Sequence, residues 1–257
     1  MFIYLIHAHT AMMSIQSSYG SSLGYIWKGF LPVDKVILQE ISSTLNTSEL
    51  GSLIKEKWDS IKAKNPKAYS DTLLRFEQYT EKDGVLTIGV SETDYKTHKA
   101  LSGIEDLATT LYPTPIGVTL LQKTSDGYVV MGYHAAKKAI DSVGSGWIKP
   151  GETVEEAAMR EACEETIYVG GLKIKDEPSV IALISGSLRD VGVGVLYSLD
   201  YKRGDVSLSK EHEELIYLPA NKQAIEKVLT NGKLNEVLVV DQALGMLERY
   251  LELGLAD

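Results

Sequence analysis

The sequence has one cysteine, Cys163, among its 257 residues, so no disulfide can form within the chain. A chain without disulfides fits a reducing compartment, and we expect a cytoplasmic protein. Cys163 falls in a segment rich in glutamate, where the neighbouring negative charge disfavours a thiolate. The expected role of this residue is therefore packing in the core and not nucleophilic catalysis.

Positive charge and long apolar runs are also scarce. Lys and Arg number 26 against 35 Asp and Glu, a net charge of −9. This balance excludes a nucleic-acid backbone as the main partner, because no basic field exists to displace its counterions. The apolar start of the chain, residues 1–6, is far shorter than the ~20 residues that cross a bilayer and follows no basic segment. We expect no signal peptide and no membrane partner, and residues 1–6 are interpreted as a short strand.

The first part of the chain mixes helical and strand patterns. Apolar residues recur with helical spacing at 36–41 and again at 50–61, where Ser48 is the predicted N-cap of the second helix. Strand patterns follow at 73–79 and 85–90, and a Lys-Asp-Gly turn separates them. This part of the chain is therefore predicted to be a mixed α/β domain.

A Tyr-Pro-Thr-Pro run at residues 112–115 interrupts the pattern and marks the predicted boundary between domains of residues 1–111 and 112–257. The elements predicted beyond it are strands at 116–123, 128–133, 180–185 and 191–197, and helices from about 154, at 221–229 and at 234–251. This order predicts an α/β (α+β) fold in which a mixed β-sheet is sandwiched between helices.

Three glutamates, Glu161, Glu164 and Glu165, lie at i, i+3 and i+4 of a helix that Thr153 and Glu156 are predicted to begin with a capping box. The spacing places them on one face. Taken alone, they are explained at least as well by a solvated acidic helix in an interaction protein that binds no metal. A divalent cation offers the other explanation, since Mg²⁺ prefers carboxylate oxygens and retains waters that substrate phosphates replace.

The spacing around these glutamates resembles the Nudix box. The matching residues are Gly146, Glu152, Arg160, Glu161, Glu164 and Glu165. Ile167 stands where the box has its last glycine, so we expect the helix to run on or to end through a different turn, at Gly170. The resemblance implies a Nudix fold for residues 112–257 and a pyrophosphohydrolase that cleaves a diphosphate bond.

The resemblance also implies roles for the matching residues. Glu161 and Glu165 would ligate Mg²⁺ or Mn²⁺, and Glu164 would be a further ligand or would orient or deprotonate the attacking water. The metal site would be completed by a backbone carbonyl, expected from Ser145. Arg160 and Glu152 would pair and hold Glu164 in place, because a guanidinium fixes a carboxylate through two hydrogen bonds.

Many Nudix enzymes take another metal-binding carboxylate from a later loop. The acidic run before a strand-like segment at 215–218 offers Glu211 as first choice and Glu213 as second, although a solvated loop explains the run equally well. His212 lies between them and is interpreted as exposed and incidental. Trp147 is interpreted as packing the loop and not as a platform for a base.

The box binds the diphosphate and does not specify the group attached to it. The N-terminal region resembles eukaryotic Nudix enzymes that act on UDP-sugars, through the short stretches Asn65-Pro66, Leu74-Arg75-Phe76, Asp94-Tyr95-Lys96 and Ile116-Gly117-Val118. A nucleotide sugar and ADP-ribose both remain open as substrates. The expected partner is a small nucleoside diphosphate derivative, and a homodimer is the assembly considered. The alternative function is a nucleotide-binding Nudix sensor or regulator. Such domains lose core glutamates, all of which are present here.

Overall fold

The structure is a computed structural model that describes residues 24–102, 104, 107, 111–186, 190–208 and 212–256. The strand predicted at residues 1–6 lies outside these ranges. Within them, no helix is both long enough and apolar enough to cross a membrane.

The described residues form strands and helices of ordinary length. The strands are β1 (Gly24–Pro32), β2 (Val36–Glu40), β3 (Thr72–Lys82), β4 (Val85–Asp94), β5 (Ile116–Lys123), β6 (Tyr128–His134), β7 (Ala139–Ser142), β8 (Ser145–Trp147), β9 (Thr166–Tyr168), β10 (Ser179–Ser185), β11 (Val191–Ser198), β12 (Val206–Leu208), β13 (Glu214–Pro219), β14 (Lys233–Leu234) and β15 (Val237–Leu238). The helices are α1 (Gly51–Lys64), α2 (Tyr95–Leu101), α3 (Val154–Glu165), α4 (Lys222–Asn231) and α5 (Asp241–Glu252).

A large mixed sheet of eight strands forms the centre of the molecule. Its order is β1-β10-β11-β5-β6-β13, with β7 paired to β6 and β8 paired to β5. The β11–β5 pair is parallel, and the other pairs of this sheet are antiparallel. Successive side chains of a strand face opposite sides, so β5 sends Leu120 into a core that includes α3 and Leu121 into a core that includes α5. The predicted mixed sheet between helices is confirmed.

A smaller sheet of three strands, in the order β2-β4-β3, lies in the N-terminal part of the chain. The helix predicted at residues 36–41 is wrong, because β2 pairs in parallel with β4 over this segment. Val36 and Leu38 point into the core while Ile37 is exposed, which is the two-residue period of a strand. The strands β3 and β4 form the predicted hairpin, whose turn holds Asp83 and Gly84 at positive φ.

Helix α1 forms where the sequence predicts a helix, but its N-cap differs. Ser48 begins a short 3-10 turn, Leu50 stands at the N-cap position of α1, and no side chain caps that end. The last helix also begins later than predicted. Residues 233–238 form the small hairpin β14–β15, whose turn places Asn235 and Glu236 at φ of 50° and 65°, and α5 begins only at Asp241.

The two parts of the chain share strands and core. Strand β1 lies before the predicted boundary, yet it pairs with β10 in the large sheet. Leu74 and Leu86 of the small sheet belong to the same apolar cluster as Ala157 and Ala158 of α3. The small sheet therefore packs against the glutamate-bearing helix, while the division into residues 1–111 and 112–257 stays a prediction.

Candidate active site

Helix α3 is fixed at both ends by local hydrogen bonds. The Thr153 hydroxyl accepts from the Glu156 N–H at 3.1 Å, and the Glu156 carboxylate accepts from the Thr153 N–H at 2.8 Å, which is the predicted capping box. The far end stops at Glu165, since Thr166 is already extended and Ile167 lies in β9, paired with β12. Of the two expected outcomes, a helix that runs on to Gly170 is wrong, whereas an ending without the usual glycine turn is what the structure has, at Glu165. A helix that passes directly into a strand needs no left-handed residue, so a β-branched Ile167 is free of strain there.

The buried face of α3 decides which of its side chains meet the sheet. Ala157, Ala158 and Ala162 are fully buried, and the small side chains bring the helix close to the strands beneath it. The Cys163 side chain lies on the opposite side and is exposed. The expectation that Cys163 packs in the core is therefore wrong, because α3 packs through positions three and four residues apart from Val154 onward, and Cys163 falls outside that stripe.

Arg160 connects the helix to the loop that precedes it. Its Nε donates to Glu152 Oε1 at 2.7 Å, and its Nη2 donates to Glu152 Oε2 at 2.9 Å and to the Trp147 carbonyl at 2.8 Å. The guanidinium thus binds Glu152 through two parallel hydrogen bonds, a geometry that lysine cannot provide. Partial burial alone would raise the pKa of Glu152, but the hydrogen bond from Arg160 holds it below its usual range.

Glu161 lies against the backbone of β8. Its carboxylate accepts from Arg160 Nη1, and a Cβ added at Gly146 would lie 2.2 Å from its Oε1. With glycine at position 146 the carboxylate lies directly against the backbone of β8, and any side chain there would force Glu161 to shift. Burial raises the pKa of Glu161, the nearby charges of Glu164 and Glu165 raise it further, and Arg160 opposes them.

Glu165 is buried and held by three donors. Its Oε2 accepts from the Gly144 N–H at 2.6 Å and lies 2.9 Å from His212 Nε2, while its Oε1 accepts from the Ser145 N–H at 3.3 Å. His212 is therefore buried against Glu165 and is not the exposed, incidental residue expected. Its Nδ1 has no hydrogen-bond partner within the described part of the chain, and a Cβ at Gly132 would lie 2.4 Å from that atom.

No local pattern in the sequence could have identified His212. Its position follows from the pairing of β13 with β6. This pairing extends one residue beyond β13, where the Glu213 N–H donates a hydrogen bond to the Tyr133 carbonyl at 2.9 Å. That pairing carries the imidazole over Gly132, and which strand lies beside β13 is a property of the assembled sheet. The only sequence signal was the acidic run before a predicted strand.

The remaining predicted site residues differ in how exposed they are. Glu164 is the most exposed of the three glutamates: its side chain is 55% exposed, and its Oε2 lies 3.4 Å from Arg160 Nη1. Ser145, in β8, lines the same groove as Glu161 and Glu164. Glu211 lies outside the described residues, and Glu213 is exposed.

Trp147 is half-buried and packs edge-on against His98, with ring centroids 5.6 Å apart, as expected of a packing residue.

These side chains could hold a divalent cation only after a small rearrangement. In the described part of the chain, no three His, Cys, Asp or Glu side chains are gathered as a ready metal site. Glu161 is paired with the positive charge of Arg160, and Glu165 accepts a hydrogen bond from the backbone N–H of Gly144. A cation would have to share these carboxylates with those groups. The donors themselves are of the right chemistry, since all three are carboxylates on one helix and Gly146 leaves open backbone beside them.

Comparison with known proteins gives structural neighbours only. No family model and no curated protein matches the chain. The E. coli dihydroneopterin triphosphate pyrophosphohydrolase is 20% identical over 53% of this chain and 94% of its own, with a TM-score of 0.37. A NUDIX-family hydrolase from Clostridium perfringens is 17% identical over 54% and 96%, with a TM-score of 0.36. A C. elegans Ap4A hydrolase is 17% identical over 55% and 97%, also with a TM-score of 0.36. Superpositions this weak carry no argument about function.

Proposed function

We propose that this chain is a Nudix-type pyrophosphohydrolase that cleaves the diphosphate bond of a nucleoside diphosphate linked to another group. The observation that carries the proposal is the arrangement around β8. Glu161 lies against Gly146, Glu165 is bound to the backbone at Gly144, and Arg160 is locked to Glu152. The motif residues that are separate in sequence thus meet at one place, each through a contact that depends on its identity.

We further propose that Glu161, Glu164 and Glu165, with the carbonyl of Ser145, hold Mg²⁺ or Mn²⁺. A bound cation would neutralise charge that develops on the phosphoryl oxygens and lower the pKa of water. Glu211 stays a proposed further ligand. Arg160 would have to release Glu161 in part, and its two hydrogen bonds to Glu152 would keep the guanidinium in place meanwhile.

The side chains of the proposed site have separate roles. Glu164 is exposed to solvent and can accept a proton from a water beside the substrate, which suits it to orient or deprotonate the nucleophile. Arg160 fixes the position of Glu164 from 3.4 Å and holds the preceding loop through the Trp147 carbonyl. The buried hydrogen bonds to Glu165 limit the motion of its carboxylate, whereas Glu161 and Glu164 are held by Arg160.

The test is hydrolysis of a panel of nucleotide sugars, ADP-ribose and dinucleoside polyphosphates by the purified protein with Mg²⁺ or Mn²⁺. We expect release of a nucleoside monophosphate from at least one of them. Glu164→Gln and Glu165→Gln should lower kcat by roughly 100-fold or more, the loss typical of removing a catalytic carboxylate. Glu155→Gln is the matched control, because Glu155 is exposed on the same helix and outside the motif. Equal activity in all of these variants would refute the site.

A second candidate function is a nucleotide-binding sensor or regulator. The absence of a ready three-ligand cluster in the described residues favours it, as does the Arg160–Glu161 ion pair. Such a protein would bind a nucleoside diphosphate derivative and release no monophosphate with either cation. The panel assay, combined with a binding measurement, separates the two functions.

A further inference from the structure

A groove of about 710 Å³ runs between the N-terminal part of the chain and the glutamate-bearing helix. Its size lies within the range of pockets that bind small molecules. One wall is formed by residues of β8 and α3, including Glu161 and Glu164, and the other by the segment after α1, the start of β3 and one face of α2. We call it the inter-unit groove, where the two units are the N-terminal part of the chain and the part that carries β8 and α3. The proposed catalytic glutamates therefore face a surface made by another part of the chain.

The groove is lined by charges of both signs. On one side Glu161 and Glu164 lie with Arg160, and Lys149 lies at the rim after β8. On the N-terminal side the exposed Lys67 and Lys99 outnumber Asp71, so the lining as a whole has four cationic and three acidic side chains. None of these lysines forms a salt bridge with another described residue. A group of lysines is notable in a chain with a net charge of −9. A phosphate could lie between these lysines and a cation that the carboxylates hold.

A second cavity of about 320 Å³ is also lined by β8 and offers a comparison. Asp141, Asp190 and Asp241 line it, and its one lysine, Lys137, is already paired with Asp141. A diphosphate would meet net negative charge there. The charges of the two cavities therefore favour the inter-unit groove for the phosphates.

The N-terminal wall also presents aromatic rings. Tyr69 lines the groove with 74% of its surface exposed, although a side chain of this size is usually more buried. Tyr95 lines the groove as well and is held edge-on by Trp58, with ring centroids 6.3 Å apart. The contact of His98 with Trp147 joins α2 to β8, so the wall has a fixed position relative to the motif.

We propose that this N-terminal wall is the substrate-recognition surface of the active site, an inference that rests on the proposed hydrolase function. Lys67 and Lys99 bind a phosphate of the nucleoside diphosphate derivative, and the nucleobase, which is joined to that phosphate through the ribose, stacks on Tyr69. The N-terminal part of the chain then determines which substrates are cleaved, while α3 supplies the groups that act on the diphosphate.

The experiment measures binding, by calorimetry with Mg²⁺, of two probes that resist hydrolysis: α,β-methylene-ADP and methylene diphosphonate. Replacing both Lys67 and Lys99 by Ala should raise the Kd of both probes roughly tenfold or more, because each probe carries the phosphate groups. Tyr69→Ala should raise the Kd of α,β-methylene-ADP roughly tenfold and leave that of methylene diphosphonate unchanged, since only the nucleotide has a ring.

Several controls keep the outcomes separate. Replacing Lys67 and Lys99 by Arg should retain binding, and Lys233→Ala, an exposed lysine of β14 outside the groove, should change nothing. Gln242→Ala alters the second cavity, and if that variant alone weakens binding the proposal is overturned. No binding of either probe to the unaltered protein would overturn it as well. Because the probes are not cleaved, a protein that binds them through the lysines but hydrolyses nothing contradicts only the hydrolase function.

Discussion

Two glycines of this site are explained by how closely a side chain approaches the backbone at their positions. A Cβ at Gly146 would collide with Glu161, and a Cβ at Gly132 would collide with His212. Both glycines lie in strands, and at each of them a polar side chain occupies the space that a Cβ would fill. The first glycine belongs to a recognisable motif and the second does not. The same physical constraint is therefore visible in the sequence at one position and hidden at the other.

At the residue scale we expect His212 to position Glu165. His212→Gln should retain most activity, because a glutamine amide can still donate near the position of Nε2, 2.9 Å from Glu165. His212→Leu should reduce kcat by roughly 10- to 100-fold and raise the Mg²⁺ concentration needed for half-maximal rate, the range seen when a partner of a metal ligand is removed.

His134→Leu serves as the control for His212, since its ring packs edge-on to that of His212 at 5.7 Å and makes no described contact with Glu165. Kinetics as a function of Mg²⁺ concentration, with melting curves for each variant, provide the measurement. If His212→Gln lost as much activity as His212→Leu, the hydrogen bond to Glu165 would not be its role.

Among the elements, α3 has a strong local signal for where it begins. Its start is set by the capping box of Thr153 and Glu156, and its end by the turn into β9. Elements with weaker local signals were predicted less well. Residues 36–41 carry enough apolar residues to satisfy a helical spacing, and only the neighbouring β4 selects the strand.

At the element scale we expect Thr153→Ala to lower the free energy of unfolding by about 1 kcal/mol, because the N-cap hydroxyl is lost and the Glu156 N–H is left without its partner. Ser48→Ala is the matched control, since Ser48 is not the N-cap of α1 and its hydroxyl only donates to the exposed Asn46 side chain. Urea unfolding of both variants is the measurement. A loss as large for Ser48→Ala would contradict the assigned caps.

The molecule as a whole is joined through the contacts between its N-terminal part and the large sheet. Besides β1 and the shared apolar cluster, a buried His98 in α2 contacts Trp147 of β8 and lies 3.3 Å from the Tyr112 hydroxyl. Burial and the nearby Lys99 lower the pKa of His98 from 6.5 to about 4. This contact is therefore formed by a neutral imidazole.

At the scale of the whole molecule we expect stability to fall as pH decreases from 6.5 to about 4, the window between the unfolded and folded pKa of His98. In this window the unfolded chain binds a proton that the folded chain does not. The slope from this group is at most about 1.4 kcal/mol per pH unit. His98→Asn retains a hydrogen-bonding atom for Tyr112 without titrating, so it should reduce the slope by that amount. Urea unfolding at several pH values is the measurement, and an unchanged slope would contradict it.

The amino-acid sequence by itself determined the register of the glutamates, the capping box of α3 and most strands. These three features depend on residues within about one or two helical turns or on alternation along one strand, which sequence spacing expresses directly. The pairing of Arg160 with Glu152 was implied by the resemblance to a known motif.

Only the tertiary structure decided which surfaces meet. It brought His212 onto Glu165 across 47 positions in sequence, paired β1 with β10, exposed Cys163 and placed the N-terminal lysines opposite the glutamates. Each of these depends on the order of strands within a sheet or on the face by which a helix packs. Contacts between distant segments follow from the burial of apolar surface by the whole chain, and no local spacing encodes them.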